Sequence, residues 1–135
     1  MNEDATIARV LAGPVWAVVG CSPDPGRDSH GVAAFLQRLG HRLVPVNPVA
    51  DEILGERCWP DLASIPSHIA IDVVDVFRRA DQAGVHVDEA IARGAGAVWM
   101  QLGVIDEAAA ERAEAAGLDV VMDRCPRIEH PRLGS

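Results

Sequence analysis

Val15-Trp16-Ala17-Val18-Val19-Gly20-Cys21-Ser22-Pro23-Asp24-Pro25-Gly26-Arg27-Asp28-Ser29 joins an unbroken apolar run to a glycine, a proline-stiffened loop and the start of an amphipathic segment. The run Val15–Val19 carries no polar residue on either face. It therefore reads as a strand covered on both sides, as in a parallel sheet between helix layers; a half-exposed antiparallel strand would alternate. Beyond the loop, Val32, Phe35, Leu36 and Leu39 fall at helical spacing, with Ser29 expected as the N-cap and Gly40 as the stop. A strand that turns at a glycine into a helix is a layout for anions, because the first backbone N–H groups of the helix and its dipole face the loop.

The same alternation continues along the chain. Leu43–Val46, Ile69–Val74, Ala97–Gln101 and Asp119–Met122 are further apolar runs rich in valine and isoleucine. Between them, Ala83, Val87, Ala90 and Ile91 form a helical stripe stopped by Gly94. Ala109, Ala110, Ala113 and Ala116 form another, opened by Asp106 and Glu107 and ended by Gly117. Residues 47–68 contain Pro48, Pro60 and Pro66 and read as an irregular crossover with one short helical turn. A short helix over Ala5–Leu11 is expected within an N-terminal segment, residues 1–14, ahead of one domain spanning 15–135. The pattern implies α/β architecture: a single-domain, Rossmann-like three-layer sandwich with a five-stranded parallel sheet and right-handed crossovers. The strand order expected is 3-2-1-4-5, with the ligand at the carboxyl ends of the strands beside the switch between the first and fourth.

Composition narrows the function. The chain has 135 residues, 49% of them hydrophobic and 24% charged, which suits one globular domain. Its longest apolar runs fall far short of the ~20 residues a membrane helix needs. Twelve Lys+Arg against twenty Asp+Glu leave a net charge of −8, which argues against nucleic acid and anionic membrane surfaces as partners. Cys21, Cys58 and Cys125 form no CxxC, and the five histidines form no HExxH, so neither a metal site nor a disulfide framework is expected. The start, Met1-Asn2-Glu3-Asp4, has no basic n-region, so a cytoplasmic protein with reduced thiols is expected.

The residues after each run are the candidate site. Gly20, Cys21 and Ser22 open the first loop, but neither GxGxxG nor a Gly-Lys-Ser/Thr loop is present, which disfavours NAD and ATP in their common binding modes. Arg27 offers a fork that suits a phosphate; as a solvated turn residue it would do nothing. Asn47-Pro48 places an amide where a dinucleotide site carries an acid for the ribose, and a turn asparagine holding its own backbone is the commoner case. Val76, Phe77, Arg78 and Arg79 would set an apolar wall beside two cations, fit for an adenine ring and its phosphates; the plain alternative is a core phenylalanine with two solvated arginines. Gln101 is a polar side chain leaving a buried strand. Cys125 and His130 lack an orienting third group, so no catalytic residue is assigned. Asp123 and Arg124 are expected to tie the tail to the sheet edge.

These residues carry a resemblance. Val18-Val19-Gly20-Cys21-Ser22 with Pro25 and Arg27, Val44-Pro45-Val46-Asn47-Pro48, Asp72-Val73-Val74-Asp75-Val76-Phe77-Arg78, Val98-Trp99-Met100-Gln101-Leu102-Gly103, Val121-Met122-Asp123-Arg124-Cys125 and Ile128-Glu129-His130 stand in the order of the small bacterial CoA-binding protein family. That family resembles the CoA-binding domain of the succinyl-CoA synthetase α subunit. The resemblance runs from Val15 to Leu133 and implies binding of coenzyme A or an acyl-CoA, with the pyrophosphate on the first loop. It implies no reaction. The favourable field for this polyanion would be local, from the helix N-terminus with Arg27, Arg78 and Arg79. Two other functions stay open: an enzyme acting on a CoA thioester through Cys125, His130 or Asp123, and a nucleotide-binding regulatory module for NAD or ATP that docks a protein partner, not identified by the sequence, through its acidic surface.

Overall fold

The structure is a computed structural model that describes residues 1–133; Gly134 and Ser135, the end of the expected 15–135 span, lie outside the described residues. Helix α1 (Asp4–Leu11) leads into β1 (Val15–Val19), α2 (Asp28–Arg38) and β2 (Arg42–Val46). A small hairpin follows, β3 (Glu52–Ile53) and β4 (Glu56–Arg57), then a 3-10 turn at Leu62–Ser64. The chain continues through β5 (Val73–Val76), α3 (Ala80–Arg93), β6 (Ala97–Met100), α4 (Glu107–Ala115), β7 (Asp119–Val121) and α5 (Pro126–Arg132). Five strands form one parallel sheet in the order β2-β1-β5-β6-β7. Gly40, Gly94 and Gly117 follow their helices with positive φ, as expected of stops.

The class and the five parallel strands are as expected, but the order is not. Numbering the five strands along the chain, the sheet runs 2-1-3-4-5 rather than 3-2-1-4-5, so the switch lies between the first and third strands, β1 and β5. Pro45 gives the reason. Its carbonyl accepts from Trp59 N–H (3.0 Å) on the outer side of β2. In an extended strand a residue's N–H points to the same side as its carbonyl, so Pro45 presents its missing donor to that edge. Proline in a sheet is tolerated at an edge. The crossover 47–68 then closes the edge itself: Asn47 N–H donates to Trp59 O (2.9 Å), and Val46 bridges Trp59. No place remains there for another strand. The crossover contains its short helical turn, and the β3–β4 hairpin is an addition to what the sequence suggested.

The third apolar run also shifts. Pairing begins at Val73 opposite Trp16, because Ile69 N–H closes a turn on Pro66 O (3.0 Å) and Asp72 Oδ2 accepts from Val15 N–H (2.9 Å) at the foot of the sheet. The strand therefore ends at Val76 and contains Asp75.

Two cores flank the sheet. Val19, Val74, Val98 and Met100 face the alanine stripes of α3 and α4. Trp16, Val18, Val73 and Trp99 face α1 and α2, with Ile7, Val10, Leu11, Val32 and Leu36. The segment 1–14 thus shares the second core. Trp16 and Trp99 are fully buried with ring centroids 5.8 Å apart, and each indole N–H finds a carbonyl: Gly13 O and Arg124 O. The Arg124 contact ties the tail to β6, inside the sheet, rather than to its edge; Asp123 Oδ1 does the same by accepting from Gly103 N–H (2.8 Å).

Candidate functional site at the β1–β5 switch

Gly20 ends β1 with φ +81° and lies so close to the Phe77 carbonyl that a side chain there would collide with it. The loops after β1 and β5 are thereby pressed together, and the space above them is where a parallel sheet receives a ligand. Two grooves with shared walls occupy it. One, of about 590 Å³, is lined by Gly20, Ser22, Arg27, Ser29, Pro48 and the arginines Arg78 and Arg79. The other, of about 730 Å³, is lined by Val32, Phe77, Gln101, Leu102, Cys125 and Ile128 among others. Asp28, Phe77, Arg78 and Arg79 line both.

The loop Gly20–Arg27 is held by its own short polar side chains. Ser22 N–H donates to Ser29 Oγ (3.0 Å), Asp24 N–H to Ser22 Oγ (3.1 Å), and Gly26 N–H to Asp24 Oδ1 (2.9 Å). Ser29 is therefore not the N-cap. Arg27 occupies that position with extended backbone, and Ser29 sits in the first turn, buried, with its hydroxyl clamping the loop. The Ser22 N–H, on the loop expected to take the pyrophosphate, is spent on this clamp. The first helical bond runs from Gly31 N–H to Arg27 O (3.2 Å), so the amides of Asp28, Ser29 and His30 lie outside the helix ladder and face the groove end of α2.

Asn47 is also spent. Its Nδ2 donates to Cys21 O (2.9 Å), while its Oδ1 accepts from Val49 N–H (2.8 Å) and Ala50 N–H (2.9 Å). It is a strut between two loops, and it lines the groove together with Pro48. The Cys21 side chain points into the core, where burial pushes its thiol up to about 12. Val76 is likewise a core side chain.

The cations are placed differently. Arg27 is exposed at the groove wall. Arg78 Nη2 donates to Gln82 Oε1 (3.1 Å), and Arg79 lies 3.4 Å from Asp81; both are exposed contacts that a stronger anion can displace. Every cationic side chain of the chain is arginine, with no lysine. Its planar fork suits phosphate oxygens.

Beneath the second groove lies a buried polar pair that the strand reading passed over. Asp75 is fully buried, and burial holds its carboxyl well above the usual carboxylate range. With the Gln101 amide turned to satisfy both groups, its nitrogen reaches Asp75 Oδ1 (2.9 Å) and Oδ2 (3.2 Å). A protonated Asp75 can instead donate to Gln101 Oε1, so the pair is satisfied in either protonation state. The signal was present: one acid inside Val73-Val74-Asp75-Val76.

The second groove is completed from the far end of the chain. Cys125 and Ile128 arrive on α5, whose Pro126 in the first turn marks its start. Cys125 and His130 do not form a pair: His130 lies edge-on to Phe35, with ring centroids 5.8 Å apart. The three cysteines are free thiols, no cluster of three His, Cys, Asp or Glu residues fit for a metal occurs among the described residues, and no described helix is long and apolar enough to cross a membrane.

Comparison with known proteins identifies the family. A family model described as a CoA binding domain matches residues 14–131. An uncharacterized protein of Bacillus subtilis (strain 168), YneT, is 38% identical over 114 residues, which are 84% of this chain and 83% of that one. The solved structure of a hypothetical protein from Pyrococcus horikoshii OT3 superposes with a TM-score of 0.91 at 37% identity, covering 98% and 93% of the two chains. Acetate–CoA ligase (ADP-forming) I of Archaeoglobus fulgidus is 31% identical over 68 residues, which make up half of this chain and 10% of the ligase.

Proposed function

The chain belongs to the CoA-binding domain family, and on that footing we propose that it binds coenzyme A or an acyl-CoA, with the phosphates in the groove above the β1–β5 switch. One observation carries the placement. In a chain of net charge −8, Arg27, Arg78 and Arg79 line one groove at the N-terminus of α2. An acidic protein repels a polyanion at long range, so its affinity must come from a local field, and this groove concentrates one. The free amides of Asp28, Ser29 and His30 add donors aimed at the same space.

The groove also favours CoA over a dinucleotide. The strand end that would carry an acid for ribose hydroxyls carries Asn47, and that amide is already bonded on both sides. The reading is of a binding module. Of the groups named for a thioester enzyme, His130 packs on Phe35 rather than beside Cys125.

The test is Arg27→Ala titrated with CoA, with a melting curve as the folding control. The affinity should fall roughly ten- to 150-fold, from the loss of ~1.5–3 kcal/mol for a hydrogen bond to a charged group. The melting point should hold, because Arg27 is an exposed loop residue. Unchanged affinity in the folded variant would move the phosphates off Arg27, onto the α2 amides or the Arg78–Arg79 side.

A further inference from the structure

We infer that the site selects acyl-CoA thioesters over free CoA, holding the acyl chain in the groove between the loop after β6 and helix α5; this rests on the CoA reading above. The phosphate groove and this second groove share Asp28, Phe77, Arg78 and Arg79, so a ligand anchored by its phosphates can run on into it; the other cavity that adjoins the phosphate groove, at Gly20, Pro48 and Arg78, is far smaller, about 190 Å³ against about 730 Å³. The character of the wall changes along that path. Past Arg78 and Arg79 the apolar side chains Val32, Phe77, Leu102, Val104 and Ile128 line it, with Asp28 and Arg127 as its charged members. Leu102 is 55% exposed and Ile128 52%, on a groove whose wall also holds the buried Val32 and Val104. Large apolar side chains left open along a concave surface mark a place where an apolar group is received.

The occupant follows from what the two ends can hold. The cationic end suits phosphates. The pantetheine arm leads away from it and ends in a sulfur. In free CoA that sulfur would carry nothing further to cover Leu102 and Ile128. In an acyl-CoA it carries a hydrocarbon chain that can lie against them. Gln101, only 6% exposed and paired with Asp75, lies on the groove floor beneath that path.

The experiment is a titration with CoA, butyryl-CoA, hexanoyl-CoA and octanoyl-CoA, run on the native chain and on the double variant Leu102→Ser/Ile128→Ser, with melting curves for both. In the native chain, affinity should rise by about fourfold for each methylene that becomes buried, the fold-change of ~0.8 kcal/mol per CH₂. In the folded double variant the ratio of octanoyl-CoA to CoA affinity should fall toward one. A ratio near one in the native chain, with CoA itself bound, overturns the acyl inference and leaves the CoA reading standing. No binding of any of the four removes the CoA reading and the inference with it. A flat ratio together with a concentration-dependent dimer that the double variant abolishes would assign the face to a second copy of the chain, and also overturns the inference.

Discussion

Asp75 shows how one side chain can report on its surroundings. Burial raises its folded pKa well above the unfolded value near 4, so the folded state binds a proton that the unfolded chain releases. The contribution is fully favourable below the unfolded pKa and is lost as pH rises through the folded one. Asp75 therefore costs stability at neutral and alkaline pH. Asp75→Asn keeps the shape and the contact with Gln101 while removing the proton, so the variant should gain on the native chain as pH rises from about 4 to 8. Melting curves across that range check the sign; a difference that does not vary with pH would show that Asp75 is ionised at no cost. The cysteines give a second residue-level outcome. Cys21 and Cys58 are buried with thiols pushed up, whereas Cys125 is half-buried on the groove wall. A thiol reagent should modify Cys125 in the native protein and the other two only after unfolding, and CoA should slow the reaction at Cys125. Rapid native labelling of Cys21 would contradict the packing of β1 against α2.

Among the elements, the helices were the most readable part of the sequence, because caps and stripes act locally. Asp106 was expected to open α4, and its carboxylate accepts from Ala109 N–H (3.0 Å). Asp106→Ala should cost about 1 kcal/mol, lowering the melting point by roughly 3–5 °C, and should leave CoA affinity alone, since α4 lies on the opposite face of the sheet. A drop in affinity without a drop in stability would contradict that separation. Strand existence was equally plain from valine runs, but strand order was not. It depends on which edge of β2 stays open, and the one local clue, Pro45, is a missing donor rather than a pattern. The site divides in the same way. Gly20 and Arg27 stand on a strand–loop–helix unit and could be placed from spacing. Ser29 and the Ser22 amide could not, because their role depends on which partners tertiary folding brings within 3 Å; Asn47 holds its own turn at Val49 and Ala50, as its sequence suggests, but its bond to Cys21 O depends on the fold. Ile128 and Cys125 reach the site only through the docking of α5, more than a hundred residues downstream of β1.

At the scale of the whole molecule, acidity and anion binding are reconciled by position. The net charge of −8 is spread over the surface, while the arginines that matter stand at the sheet's carboxyl edge. Most other arginines are committed elsewhere, as in Arg9 to Asp119, Arg112 to Asp88 and Arg132 to Asp4 and Glu129, or Arg93 to four backbone carbonyls around Pro66. Binding carried by three exposed cations should weaken as salt rises, because charges more than a Debye length apart, about 8 Å at physiological salt, are screened. The most direct measurement is calorimetric titration of the chain with CoA, NAD and ATP in the same buffer. The account predicts one CoA bound per chain, and NAD and ATP bound more weakly. Tight binding of NAD with no detectable binding of CoA would contradict it.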